Sequence, residues 1–375
     1  MNKKIKLVYF VNTDWFFISH RLPIAIAALE KGYEVHIVVN ESTKIKELKE
    51  AGIIVHVLKL DRKNWNPIEF IICLFKFIYL IKKLNPELIH CLTIKPIIIG
   101  TLSSIILIKP KVVISITGMG SIFSNNKKID KIKQLFILGI YNLIFLKKNL
   151  RVIFQNNDDQ SLIIKKTILN KDKSLIIRGS GVNFKNYPYK SLKDEMPKVL
   201  FASRLLKSKG IKEFIEASAL VKECQFLVAG EIDLGNPQSL TKKELNIYIR
   251  NYPIKYLGFK KNIVDIITSS SIIVLPSYYR EGLPKILIEA AACGRAIITT
   301  DNVGCRDAII KNKTGILIPI KNTLKLAQAI KYLIGDPKSL QKMGKLGREF
   351  ALEKFNISQI INMHLKIYKE LILKL

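Results

Sequence analysis

The stretch PSYYREGLPKILIEAAACGRAIITTDNVGCRD, Pro276 to Asp307, decides how the rest of the chain is read. It follows an apolar run, Ile272 to Leu275, that predicts a buried strand. Pro284 stands where the first position of a helix tolerates a missing N–H, and Gly294 where a helix stops. Between them Ile286, Leu287, Ile288 and Ala290 to Ala292 are apolar on nearly every face, so the helix is expected to be buried, with Glu289 in its middle. A carboxylate there is costly unless something hydrogen-bonds it. In the loop before the helix lie Glu281 and Gly282. The glycine admits a close ligand, and the free N–H groups of a first helical turn favour an anion. A buried acid, a loop acid and an anion-binding helix start therefore converge on one small volume. The competing reading leaves Glu281 solvated and pairs Glu289 with a core lysine.

Upstream, Lys198 to Ser203 predicts a strand that delivers Arg204 at its carboxyl end. Lys209 and Gly210 follow just before the helical IKEFIEASALVK. An arginine fork and a lysine point charge beside a helix start suit a diphosphate; a solvated basic turn is the plain alternative. Strand candidates recur through the chain: Ile5 to Val11, Val35 to Val39, Ile53 to Leu58, Glu87 to His90, Val112 to Ile116, Val152 to Gln155, Ser174 to Arg178, Phe226 to Ala229, Ile254 to Gly258, Ala296 to Thr300 and Gly315 to Ile318. Helical segments between them, such as KIKELKEAG and Leu135 to Lys148, predict an α/β chain of parallel sheets. Lys185 to Pro197, polar and bracketed by prolines, predicts the inter-domain linker.

A length of 375 residues with 49% hydrophobic content supports two cores. Cys73, Cys91, Cys224, Cys293 and Cys305 show no CxxC spacing and their odd number speaks against a disulfide framework. The five histidines form no ligand cluster, so no metal site is expected. The apolar part of MNKKIKLVYFVNTDW is too short for a signal peptide and predicts a first strand. The net charge of +31 comes mostly from dispersed lysines. With no aromatic-interleaved patch or reading motif, nucleic acid is not an expected partner. An anionic membrane surface and plain compositional bias remain. The run Ile68 to Leu84, interrupted by Lys76 and closed by Lys82 and Lys83, is shorter than the ~20 residues that span a bilayer. It predicts a helix buried in a core, embedded in a membrane interface, or both.

Glu281 and Glu289 form an E-x7-E pattern. With NTDWFFISHRLP, LIHCLTIKP, TGMGSIF, FQNNDD, RGSGVN and ASRLLKSKGIKEF in order, it makes nearly the whole chain resemble the retaining nucleotide-sugar glycosyltransferases of family GT4. The resemblance implies a GT-B fold, two Rossmann-like domains facing across a cleft. The first would span 1–184 and bind the acceptor, and 185–197 would be the linker. The nucleotide-sugar domain would span 198–355, and a C-terminal helix, 356–375, would cross back to the first domain. The subgroup it looks most like adds an N-acetylhexosamine or similar sugar to a polyprenyl-diphosphate-linked acceptor in bacterial surface-polysaccharide assembly. It works as a peripheral protein on the cytoplasmic face of the inner membrane.

The resemblance also implies roles. Arg204, Lys209, Gly282 and Leu283 would hold the donor diphosphate, the two cations standing in for a metal when negative charge develops on the leaving group. Glu289 would take the ribose hydroxyls and Glu281 the sugar hydroxyls. His90 would lie over the donor sugar, and the base would lie near Gly258 and Phe259. His20, Arg21, Lys95, Gly118 and Gly120 would face the acceptor. The family's Gly-rich loop is missing after the first strand, and Asn183 stands where an Asp is common. Retention would ordinarily suggest a carboxylate nucleophile; with none on the His90 side, front-face attack assisted by the leaving phosphate is expected. The donor would be a UDP-sugar, with neither cofactor nor metal. Two other readings are a UDP-sugar 2-epimerase on the same fold and a non-enzymatic basic surface-binding protein.

Overall fold

The structure is a computed structural model that describes residues 4–40, 44–60, 66–120, 123, 128–192 and 195–373. Ser121 and Ile122 of the TGMGSIF stretch, residues 193 and 194 of the expected linker and residues 374 and 375 of the terminal helix lie outside them.

The chain divides into two units, 1–180 with 357–375, and 181–356. The first contains β1 (Lys6–Phe10), β2 (Glu34–Val39), β3 (Ile54–Val57), β4 (Leu88–Leu92), β5 (Lys111–Ile116), β6 (Leu150–Phe154) and β7 (Ser174–Ile176). Its helices are α1 (Asp14–His20), α2 (Leu22–Glu30), α3 (Ile45–Glu50), α4 (Pro67–Leu84), α5 (Ile94–Ile106), α6 (Lys128–Phe145) and α7 (Asn157–Lys166). The strands form one parallel sheet, order β3-β2-β1-β4-β5-β6-β7. They are apolar runs because helices cover both faces. Alternation along β1 sends Val8 and Phe10 to one face and Leu7 and Tyr9 to the other. The Val8 face is covered by α4, α5 and α6, with Phe77 stacked on Phe10 at 4.2 Å. A Cβ at Gly100 would stand 2.3 Å from Cys91 Sγ, so α5 lies close on β4.

The second unit contains β8 (Lys198–Ala202), β9 (Gln225–Ala229), β10 (Ile254–Gly258), β11 (Ile272–Leu275), β12 (Ala296–Thr300) and β13 (Gly315–Ile318). Its helices are α8 (Ile211–Ser218), α9 (Lys242–Asn251), α10 (Val264–Ser269), α11 (Lys285–Ala292), α12 (Thr323–Gly335) and α13 (Pro337–Lys354). Its sheet is parallel with order β10-β9-β8-β11-β12-β13. After α13 the chain returns to the first unit as α14 (Ile357–Leu373), burying Ile360, Ile367, Tyr368 and Leu371 against the Tyr9 face of the sheet. Strand order reverses between β1 and β4 and between β8 and β11, the crevices where open α/β sheets take ligands.

Four expectations shift. Pro284 is the N-cap of α11 (φ −63°, ψ 122°) rather than its first residue. The expected Leu135 to Lys148 helix is α6, which starts seven residues earlier and ends at Phe145. The segment after Arg204 keeps helical hydrogen bonding only to Ser218 in α8. Tyr187 and Lys190, inside the expected linker, are bonded into the second unit through Glu289 and Arg295.

Candidate active site

At the carboxyl edge of the second sheet, five adjacent strands deliver the residues around Arg204 and Glu281: Gly258 ends β10, Gly230 to Asp233 follow β9, Arg204 follows β8, Ser277 to Glu281 follow β11, and Asp301 to Gly304 follow β12. The loops are fastened to one another. The Ser208 carbonyl accepts from the N–H groups of Tyr278 (3.0 Å) and Tyr279 (3.2 Å), which sets the Lys209 turn against the loop after β11. Gly210, at φ +78°, is required there, since a Cβ would meet the Pro276 carbonyl oxygen at 2.2 Å. On the other side Gly304, at φ +80°, lets the loop after β12 approach the carbonyls of Glu281 and Gly282. Asn302 Nδ2 donates to the Tyr279 carbonyl at 2.8 Å.

Within this frame Lys209 Nζ donates to Glu281 Oε1, and Ser277 Oγ lies 2.9 Å from the same oxygen. Glu281 is buried, so the neighbouring ammonium is what makes its charge tolerable. Cys305 is also buried close by, and burial pushes its thiol up to about 12, with the Glu281 carboxylate adding to the rise. Arg204 Nη1 donates to Asp233 Oδ2 at 2.6 Å, and Asp233 also accepts from Asn236 Nδ2 at 3.0 Å. The two loops run as one piece: Leu205 N–H donates to the Glu231 carbonyl, and Lys207 N–H to that of Gln238.

Glu289, buried in α11, accepts from the Tyr187 hydroxyl at 2.7 Å, with Lys285 Nζ at 3.5 Å one turn earlier. A carboxylate has about four acceptor sites, so these contacts leave capacity for further donors. Burial, reinforced by the Glu289 charge, pushes the Tyr187 phenol well up. Gly282 and Leu283 are buried beside Pro284. Gly258 (φ +68°) has nothing within 4 Å of where a Cβ would stand, and Phe259 is 64% exposed. An open backbone and an exposed ring suit a flat base. Ser277, Asp233 and Tyr187 were not singled out in the sequence. Ser277 lay inside the deciding stretch; the other two carry no local signal.

In the first unit, His90 must be corrected. It is not beyond a strand end but inside β4, level with Tyr9 and Val113, and fully buried. Its Nδ1 lies 2.7 Å from the Tyr368 hydroxyl and its Nε2 2.7 Å from Ser115 Oγ. Burial, with His364 and Arg21 nearby, holds the imidazole well below the usual histidine range. A ring sealed and occupied at both nitrogens offers no edge to a sugar. Arg21 is corrected likewise: it is 1% exposed, donates Nη1 to the His20 carbonyl and has no partner for Nε among the described residues.

His20 ends α1, half-buried and stacked on Phe16 at 4.4 Å. Lys95 is buried in the first turn of α5. Gly118 (φ +116°) and Gly120 (φ +69°) turn the chain after β5. With Thr93, Ser115, Met119 and Tyr141, Gly118 lines a cavity of about 20 Å³, room for about one water. Among the described residues, no group of three or more His, Cys, Asp or Glu side chains could hold a metal ion.

The chain is similar to known proteins along nearly its whole length. Residues 6–156 match the model of the family described as glycosyl transferase 4-like, and residues 183–350 that of glycosyl transferases group 1. The N,N'-diacetylbacillosaminyl-diphospho-undecaprenol alpha-1,3-N-acetylgalactosaminyltransferase of Campylobacter jejuni is 29% identical over 95% of this chain and 98% of its own. The UDP-Gal:alpha-D-GlcNAc-diphosphoundecaprenol alpha-1,3-galactosyltransferase of Escherichia coli is 23% identical over 91% of this chain and 90% of its own. The crystal structure of Anabaena HepE in complex with UDP superposes with a TM-score of 0.80 at 17% identity, covering 98% of this chain and 100% of that one. The chain belongs to the group 1, GT4-like glycosyltransferases and has their GT-B fold of two Rossmann-like domains.

Proposed function

We propose that this glycosyltransferase moves a sugar, an N-acetylhexosamine before others, from a UDP-sugar to a polyprenyl-diphosphate-linked acceptor in the assembly of a bacterial surface glycan. The observation that carries the donor half is the placement of Arg204, Lys209 and Glu281 in loops at the carboxyl edge of the second sheet, with Glu289 buried in the helix α11 that follows the Glu281 loop. The acceptor half is supported by what the Campylobacter and E. coli relatives are named for, undecaprenol-diphosphate-linked sugars, and UDP by the complex of HepE.

In this reading Arg204, Lys209 and the Gly282–Leu283 backbone hold the diphosphate and stabilise the charge that grows on it. Glu289 takes the ribose hydroxyls, Glu281 orients the sugar, and Gly258 with Phe259 receives the base. The acceptor is taken by the first unit, at His20, Lys95 and the Gly118–Gly120 turn; Arg21 and His90 support that unit from inside. The bond from the anomeric carbon to the diphosphate breaks as the acceptor oxygen attacks from the same face, and the acceptor proton passes to the departing phosphate oxygen. Stereochemistry is retained, as the α-linkages in the relatives' names suggest. Neither a resident metal nor nucleic acid has a part in this reading. The working place is the cytoplasmic face of the inner membrane, an anionic surface suited to a chain of net charge +31. Among the described residues no helix is long and apolar enough to cross a membrane.

The test is a panel of UDP-sugars offered with polyprenyl-diphosphate-linked mono- and disaccharides, products read by mass spectrometry. One added hexose or N-acetylhexosamine is expected. A 2-epimerised UDP-sugar formed without acceptor would overturn the reading.

A further inference from the structure

Helix α4 is apolar on two opposite sides. One stripe, Cys73, Phe77 and Ile81, is buried in the core. On a wheel of 100° per residue the other stripe, Ile68, Ile71, Ile72, Phe75 and Tyr79, lies roughly 180° away, and all five are exposed, Tyr79 to 72%. The pattern recurs in α6. Ile137, Tyr141, Ile144 and Phe145 are buried in the same core. Ile132, Leu135, Phe136 and Leu143, with Leu146 just past its end, are exposed on the opposite side, Leu135 to 69% and Phe136 to 66%. Both helices set their inner stripes against the same face of the first sheet, on either side of α5. Their outer stripes must therefore both point away from it.

From this we infer that α4 and α6 form a two-part seat for an anionic lipid bilayer, with α6 an equal contributor rather than a bystander. The inference rests on the membrane working place proposed above and names the surface that does it. Charge selects the occupant. Lys76, Lys82 and Lys83 on α4, and Lys131 and Lys133 on α6, are all exposed, against Glu69 and a half-buried Asp130. Such lysines can lie along an apolar stripe and carry their ammonium groups to headgroup level. A second copy of the chain would set cations against cations; an anionic bilayer neutralises them. Apolar contact and charge together give a useful affinity where either alone is marginal.

The experiment uses the full chain and sedimentation with vesicles of phosphatidylcholine alone or mixed with phosphatidylglycerol. Two surface variants are compared, Phe75→Ser/Tyr79→Ser on α4 and Leu135→Ser/Phe136→Ser on α6. Each pair should lower partition onto anionic vesicles roughly tenfold or more, and the two together should abolish it. Thermal midpoint and UDP affinity should stay unchanged, because none of the four side chains is in a core and the donor residues belong to the other unit. If the α6 variant binds anionic vesicles like the wild type, the two-part seat is overturned while the membrane reading stands. If the wild type itself binds neither vesicle, the membrane reading falls with it. A wild-type dimer that the α6 variant abolishes, with vesicle binding unchanged, would assign the stripe to a second copy and overturn the inference.

Discussion

Two carboxylates eight positions apart in the chain keep different company: Glu281 meets Lys209 and Ser277, Glu289 meets Tyr187 and Lys285. The difference predicts a separation of roles. Glu289→Ala should weaken UDP binding by roughly 1–3 kcal/mol, the worth of a buried acid's hydrogen bonds. Glu281→Gln keeps the side chain's shape and should leave UDP affinity nearly intact while turnover falls. Calorimetry showing equal UDP losses in the two variants would refute the assignment. Both acids were legible because a carboxylate inside an apolar helix, and another before a glycine at a helix start, are expensive without a purpose. Tyr187 was not legible, lying 102 residues from Glu289 in a stretch without periodicity. His90 misled for a related reason. A lone histidine in an apolar strand reads the same whether it faces a ligand or a core. Only its partner Tyr368, 278 residues on, decides.

At the level of elements the donor edge is a set of loops wedged together by glycines. Gly304 allows a close approach to the carbonyls of Glu281 and Gly282, and its left-handed backbone alone would strain any other residue by about 1–3 kcal/mol. Gly304→Ala adds a methyl group 2.5 Å from two carbonyl oxygens. It should therefore destabilise the protein by more than ~2 kcal/mol in chemical denaturation. A loss below ~0.5 kcal/mol would mean the loops are not packed as described.

In the proposed reading Arg204, at the end of β8, and Lys209, in the turn before α8, supply the countercharge that a metal ion would otherwise give. Activity should then survive excess EDTA. Loss on chelation, restored by magnesium or manganese, would turn attention to Asp301 and Asp307. Strands were legible because parallel, doubly covered strands are unbroken apolar runs. Helix ends were less so. The first turns of α6, KIDKIK, are charged at four of six positions, and α8 stops at Ser218 although ALVK continues its pattern.

On the scale of the whole chain, the path leaves the first unit at Ser180, builds the second, and comes back as α14 to finish the first. The return is closed by buried polar groups as well as apolar ones. Tyr368 stands 3.0 Å from the Tyr9 hydroxyl and 2.7 Å from His90, and His364 donates Nδ1–H to the Ile360 carbonyl while its Nε2 has no partner among the described residues. Burial first, then the Arg21 charge, depresses the His364 pKa to about 3, and His90 is likewise held well below its usual range. Both are neutral in the folded protein and gain protons near pH 6.5 once unfolded. The unfolded state therefore binds more protons below that pH. The stability tied to each ring is complete above pH 6.5 and drains away as pH falls towards the folded value. The slope is about 1.4 kcal/mol per pH unit for each histidine, or about 2 kcal/mol by pH 5. Half-buried His56 is also held below its usual range and adds to the slope, and burial raises the Glu213 carboxyl towards the same window, so a substitution is needed to isolate one ring. His364→Leu removes one of the two rings and leaves a side chain that cannot be charged beside His90 and Tyr368. Denaturation curves should show it losing stability less steeply than the wild type between pH 6.5 and 5. If the two proteins lose stability in parallel over that window, α14 is not held by a ring that must stay neutral.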